Sequence, residues 1–98
     1  MSIVDHSNKC IRDILSEMET FLTQKNISYD GSAFREPVIK FNGMTAESSI
    51  YARINDKLRR INTGNSYIGD DDIKDLAGYF IILMAYRNMK GEGYAEKD

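Results

Sequence analysis

"YIGDDDIKDLAGYFIILMAYR", residues 67–87, is the stretch on which the rest of the chain turns. It opens with three consecutive aspartates, Asp70 to Asp72, and Asp75 follows one helical turn later. Beyond them the chain is almost wholly apolar. Asp70 is the expected N-cap of a helix. Ile73, Leu76, Ala77, Phe80, Leu83 and Met84 repeat at helical spacing and define one face. Ile81, Ile82 and Tyr86 carry apolar surface around most of the cylinder. A helix apolar on nearly every side is central in its domain or shared with another subunit, and both are expected here. Gly91 ends it, and "GEGYAEKD" reads as a frayed tail.

Upstream, "TAESSIYARINDKLRRI" shows the same period, with Thr45 as N-cap and Glu47 in the first turn, where the helix dipole favours negative charge. Ile50, Ile54, Leu58 and Ile61 mark its apolar stripe, and Thr63-Gly64-Asn65 ends it. Further back, "NKCIRDILSEMETFLTQKN" places Ile11, Ile14, Leu15, Met18, Phe21 and Leu22 on one face. That helix is expected over about residues 5–26, capped by Asp5 or Ser7. Between it and the second helix, Asp30-Gly31 and Asn42-Gly43 signal turns. Pro37 blocks a helix there, and Val38, Ile39 and Phe41 suggest a short extended piece.

The pattern predicts an all-α fold, a three-helix bundle with a long loop between helices one and two. It assigns residues 1–90 to one domain and 91–98 to a flexible tail. Three helices leave an open side, so a homodimer or higher oligomer is expected to complete the bundle.

Composition narrows the function classes. The 98 residues suit one small domain, with 42% hydrophobic and 29% charged residues. Net charge is -2, which argues against nucleic acid as a partner. Cys10 is the only cysteine, so neither an internal disulfide framework nor a CxxC metal site is possible. No apolar run reaches the roughly 18 residues of a membrane span, and the first residues lack a signal peptide's apolar stretch. A cytoplasmic protein without a membrane partner is expected, in the host cytoplasm if the chain is viral.

The acidic turn has two readings. One aspartate as cap and one beside it answer to the dipole. Asp75 lies three residues from Asp72 and four from Asp71, so like charges share a face and repel. Something positive must sit among them. It is either a divalent cation, for which Mg²⁺ with hard carboxylate ligands is suited, or the basic groups of "RINDKLRR", with a salt bridge to Arg53 or Lys57 the plain form. On that second helix Arg53 and Lys57 flank Asp56, an arrangement that suits either a metal–phosphate site or a solvated polar face. In "KNISYDGS", Lys25 can meet a phosphate and Tyr29 can stack on a base, or the segment is a plain turn. Glu17 and Glu19 straddle the apolar face of the first helix, and Glu19 is the further candidate ligand. The candidate metal set is thus Asp56, Asp72, Asp75 and Glu19, and the candidate phosphate or nucleotide set is Arg53, Lys57, Lys25 and Tyr29. His6 and Cys10 are given no chemical role, and no Gly-rich phosphate loop, HExxH or GxSxG is present.

"KNISYDGSAF", "ARINDKLRRI" and "DDDIKDLAGYFIIL" resemble, in that order, segments of small phage-encoded all-α proteins of the nucleotide modification associated domain 1 type. The resemblance covers roughly residues 10–85 through three short motifs. A looser similarity runs to the all-α nucleotide pyrophosphohydrolases of the MazG and dimeric dUTPase type. "DDIKDL" is similar to their EE-x-x-D-L helix, with Asp71 and Asp72 in place of the glutamates and Asp75 matching the aspartate. That similarity implies Mg²⁺ held by acidic residues and water directed at a nucleoside triphosphate. Their E-x-x-E pair has no counterpart here, since Glu17 and Glu19 are two apart and "RINDKL" offers only Asp56. The expected function is therefore a phage-type nucleotide-handling protein that binds a nucleotide or phosphorylated small molecule with Mg²⁺, and a pyrophosphohydrolase if it is an enzyme. The alternatives are an inhibitor of a host defence protein, acting through an exposed apolar face, and a sponge for a nucleotide second messenger.

Overall fold

The computed structural model describes residues 2–35, 45–64 and 71–93. Among these the chain is all-helical. It has α1 (Ile3–Ser28), a 3-10 turn (Ser32–Phe34), α2 (Ala46–Thr63) and α3 (Asp72–Gly91). No helix among the described residues is long and apolar enough to cross a membrane. The expected extended piece at Val38, Ile39 and Phe41, the Asn42-Gly43 turn and the end of the tail fall outside the described residues, as does Asp70. The chain divides into two compact units, Met1–Asp30 and Gly31–Asp98.

The first unit is α1. Its cap is Ser2, whose side chain accepts the backbone N–H of Asp5. Neither Asp5 nor Ser7 caps it. The helix starts two residues earlier than the apolar period suggested, and Asp5 takes the first-turn position that the dipole favours. Ile3, Val4, Ile11, Ile14 and Leu15 are exposed along it. The helix ends at Tyr29, after which Asp30 (φ 51°) and Gly31 (φ 68°) both adopt left-handed backbone. The Asp-Gly pair suits this backbone because Asp tolerates that region and Gly meets no Cβ penalty there.

The second unit is built on α2 and α3. Thr45 caps α2 in a reciprocal box with Ser48. Ser48 N–H donates to the Thr45 side chain, and Thr45 N–H donates to Ser48 Oγ at 2.7 Å. Gly64, at φ 73°, closes α2 in left-handed conformation, as the sequence suggested. The core consists of Ala46, Ile50 and Ile54 from α2 with Leu83 and Tyr86 from α3. Phe34, Leu76, Tyr79 and Ile82 pack against it, so the 3-10 turn brings one aromatic ring to the helix pair. Ile50 is its deepest large residue.

Two sequence expectations change here. On α2, Leu58 and Ile61 are exposed, and the buried stripe stops at Ile54. On α3 the core-facing side is rotated from the expected one. Leu76, Tyr79, Leu83 and Tyr86 turn to the core, whereas Ile73, Ala77, Phe80 and Met84 are exposed. A helix apolar on all sides has no periodicity strong enough to name its buried face. Asp72 and Asp75 meet α2 on the same side as that core.

Candidate functional site

Contacts at the two ends of α2 and α3 make the pair antiparallel. The C-terminal half of α2 meets the first turn of α3. The first turn of α2 meets the last third of α3.

At the first of these ends the aspartates divide their roles. Asp71 is the N-cap of α3, and its carboxylate accepts the Lys74 N–H at 2.9 Å. Asp72 and Asp75, one helical turn apart, point together toward α2. Lys57 Nζ lies 2.9 Å from Asp75 Oδ2 and 3.4 Å from Asp72 Oδ1. Arg60, three residues further along the same face of α2, approaches Asp72 at 3.9 Å. The group is sheltered: the Lys57, Asp72 and Asp75 side chains keep 13%, 6% and 27% of their exposure. The hydrogen bond to Asp75 holds the Lys57 ammonium above the ordinary lysine pKa, with burial opposing that shift.

The like charges that share a face of α3 are therefore held by a protein cation. Of the two groups the sequence offered for that position, Lys57 rather than Arg53 makes the salt bridge. Arg53 lies one turn away and is exposed, as is Asp56. Arg60, one of the basic groups of "RINDKLRR" though not one of the two expected bridges, also belongs to the cluster. The available signal was its spacing, three residues after Lys57, on the helical face that carries the ammonium.

The remaining candidates lie in the first unit. Lys25 Nζ sits 4.6 Å from the centre of the Phe21 ring, a cation–π contact, and Tyr29 forms the exposed C-terminal cap of α1. Glu19 is exposed on α1. Among the described residues no group of three or more His, Cys, Asp and Glu side chains converges as a metal cage would. Asp56 does not form one with Asp72 and Asp75. The donor set on α3 is a pair of hard carboxylates that already share one cation.

A second polar contact joins the other end of the helix pair. Arg87 donates to the Tyr51 hydroxyl at 2.6 Å and to Glu47 at 3.5 Å. The Arg87 side chain is 59% exposed. Here α2 supplies the acid and α3 the base, the reverse of the Lys57 end.

Compared with known protein families, characterised proteins and solved structures, the chain gives no match.

Proposed function

We propose that this chain is a phage-type nucleotide-handling protein that binds a nucleotide or another phosphorylated small molecule at the α2–α3 face, together with Mg²⁺. The observation that supports this reading is the sheltered cluster in which Asp72 and Asp75 meet Lys57 and Arg60. Withdrawing several charges from water is costly even when they are paired, and such clusters concentrate at functional sites. Lys57 and Arg60 supply cationic groups for phosphate oxygens, with Arg53 beside them on α2. Asp72 and Asp75 would hold the metal, which supplies charge neutralisation and an activated water. If the chain is an enzyme, the corresponding activity is nucleoside triphosphate pyrophosphohydrolysis, which cleaves a nucleoside triphosphate to the monophosphate and pyrophosphate.

The test is thermal melting with Mg²⁺ or Mn²⁺ and a panel of nucleoside triphosphates and cyclic nucleotides, with product analysis of each stabilising ligand. A metal-dependent shift is expected, and turnover would identify an enzyme. Binding without turnover would identify a carrier or sponge. Asp75→Asn should weaken the metal-dependent shift, and an unchanged response would sink the assignment.

A second reading rests on α1. Its exposed Ile3, Val4, Ile11, Ile14 and Leu15 make an apolar surface suited to a protein partner, either a second copy of this chain or a host protein that it inhibits. Ile14→Asp should then abolish the association while leaving ligand-induced melting shifts intact. Light scattering reads a second copy, and a stoichiometric complex whose stability ignores Asp75 reads a host protein.

A further inference from the structure

α3 has two apolar sides, and α2 covers one of them. On the other, Ile73, Ala77, Phe80, Ile81 and Met84 are all exposed, Ile73 at 78% and Met84 at 66%. Their spacing lays them in one stripe along the helix, and no charged residue interrupts it. The stripe continues onto α2. Arg87 donates to the Tyr51 hydroxyl, so the edge of α3 that carries Arg87 adjoins the edge of α2 that carries Tyr51. Phe80 lies seven residues before Arg87 and Leu58 seven after Tyr51, which sets both exposed side chains along that junction. At roughly 200 Å² for a fully exposed side chain of this size, Tyr51, Leu58 and the four larger α3 residues present on the order of 600 Å² of mostly apolar surface. That is the upper end of what a lone folded chain exposes in one patch. A standard interface takes about 800 Å² from each partner, and between identical chains about 65% of it is apolar. The face supplies that apolar share by itself.

We propose that this face is the seam on which a second copy of the chain docks. The two α3 helices run antiparallel about a two-fold axis between Phe80 and Ile81, and two α2–α3 pairs form a four-helix bundle. This seam is independent of the nucleotide reading and uses a surface other than α1. Self-complementarity selects a second copy, since a two-fold interface must fit its own image. The uncharged stripe sets no like charges against each other. In this register the small Ala77 lies level with the partner's Met84, and Phe80 with the partner's Ile81, so small and large residues meet across the seam. Lys74 and Arg87 lie on opposite edges of the stripe and form its polar rim. The helix dipoles oppose, and the acidic Asp71 end of one α3 lies beside the basic Lys90 end of the other.

The experiment is sedimentation equilibrium of the full chain over a series of concentrations, for wild type, Phe80→Glu and Ile14→Asp. Wild type should be a dimer. Phe80→Glu should raise its dissociation constant at least about thirtyfold, the loss expected of a residue at the centre of an interface, and Ile14→Asp should leave it unchanged. In a Cys10→Ser background, Ile81→Cys should form a disulfide between copies under mild oxidation. Ile73→Cys should not, because the antiparallel register holds the two copies of that position about 22 Å apart along the helix axis. If Phe80→Glu loses its helix content by circular dichroism, the cysteine variants decide alone. A wild-type monomer at every concentration overturns the proposal. So does a dimer that Ile14→Asp dissociates and Phe80→Glu does not, or cross-linking of Ile73→Cys in place of Ile81→Cys.

Discussion

The two ends of the α2–α3 pair carry ionic contacts of opposite polarity and unequal depth. At one end Lys57 is sheltered between Asp72 and Asp75, with Arg60 close by. At the other, Arg87 reaches Glu47 and Tyr51 in largely open solvent. Exposed pairs contribute from nothing to about 1 kcal/mol, because water screens them and two long side chains must be ordered. Sheltered pairs behave differently. Their formation is nearly balanced by desolvation, yet removing one partner leaves a charge that water reaches poorly. The reversed polarity also fixes direction, since a parallel arrangement would set basic α2 residues near Arg87 and acidic Glu47 near Asp72 and Asp75. One end thus holds a sheltered charge cluster, and the other an exposed pair of reversed polarity.

That contrast can be broken or sharpened by substitution, with chemical denaturation as the measurement. The largest effect is expected between the two ends, at Ile50. Ile50→Ala should cost about 2–5 kcal/mol, the range for a buried Ile truncated to Ala. Asp72→Ala should follow at about 2 kcal/mol, because it removes a sheltered carboxylate that both Lys57 and Arg60 approach, while Lys57 keeps Asp75. Thr45→Ala removes a cap and half of its box and should cost about 1 kcal/mol. Arg87→Ala should be smallest, below about 1 kcal/mol and reduced further by salt. If Arg87→Ala matched Asp72→Ala, the distinction between the two ends would collapse.

Alkaline pH sharpens the comparison from another side. The folded pKa of Lys57 lies above its ordinary value of 10.5. Its contribution to stability is therefore fully present below that value and lost as pH rises through the higher folded value. The stability difference between wild type and Lys57→Met should be flat from about pH 7 to about pH 9 and shrink above about pH 10.5. A difference that already fell between pH 7 and 9 would mean that another group governs the contact.

The sequence by itself determined the helices, because helix signals are local. Recurrence of apolar residues at helical spacing located α1, α2 and α3, Thr45 and Gly64 marked the ends of α2, and Asp30-Gly31 marked the turn after α1. Cap positions slipped where acceptors crowd together. Ser2 displaced Asp5 and Ser7, and Asp71 takes the cap position expected of Asp70. The acidic face of α3 was also legible, since the repulsion of Asp72 and Asp75 required a positive neighbour. Only the tertiary structure decided which neighbour it is. Arg53, Lys57 and Arg60 all lie near one face of α2, and the choice depends on how α2 and α3 pack, a distance that no local spacing encodes. The same packing selected the buried side of α3. Its apolar residues encircle the helix, so hydrophobicity centred the expected face on Ile73, Leu76, Phe80, Leu83 and Met84, whereas Leu76, Tyr79, Leu83 and Tyr86 face the core. On the selected side Asp72 and Asp75 meet Lys57 while Leu83 and Tyr86 join Ile50 and Ile54, and spacing within α3 encodes neither contact because both depend on a partner helix distant in sequence.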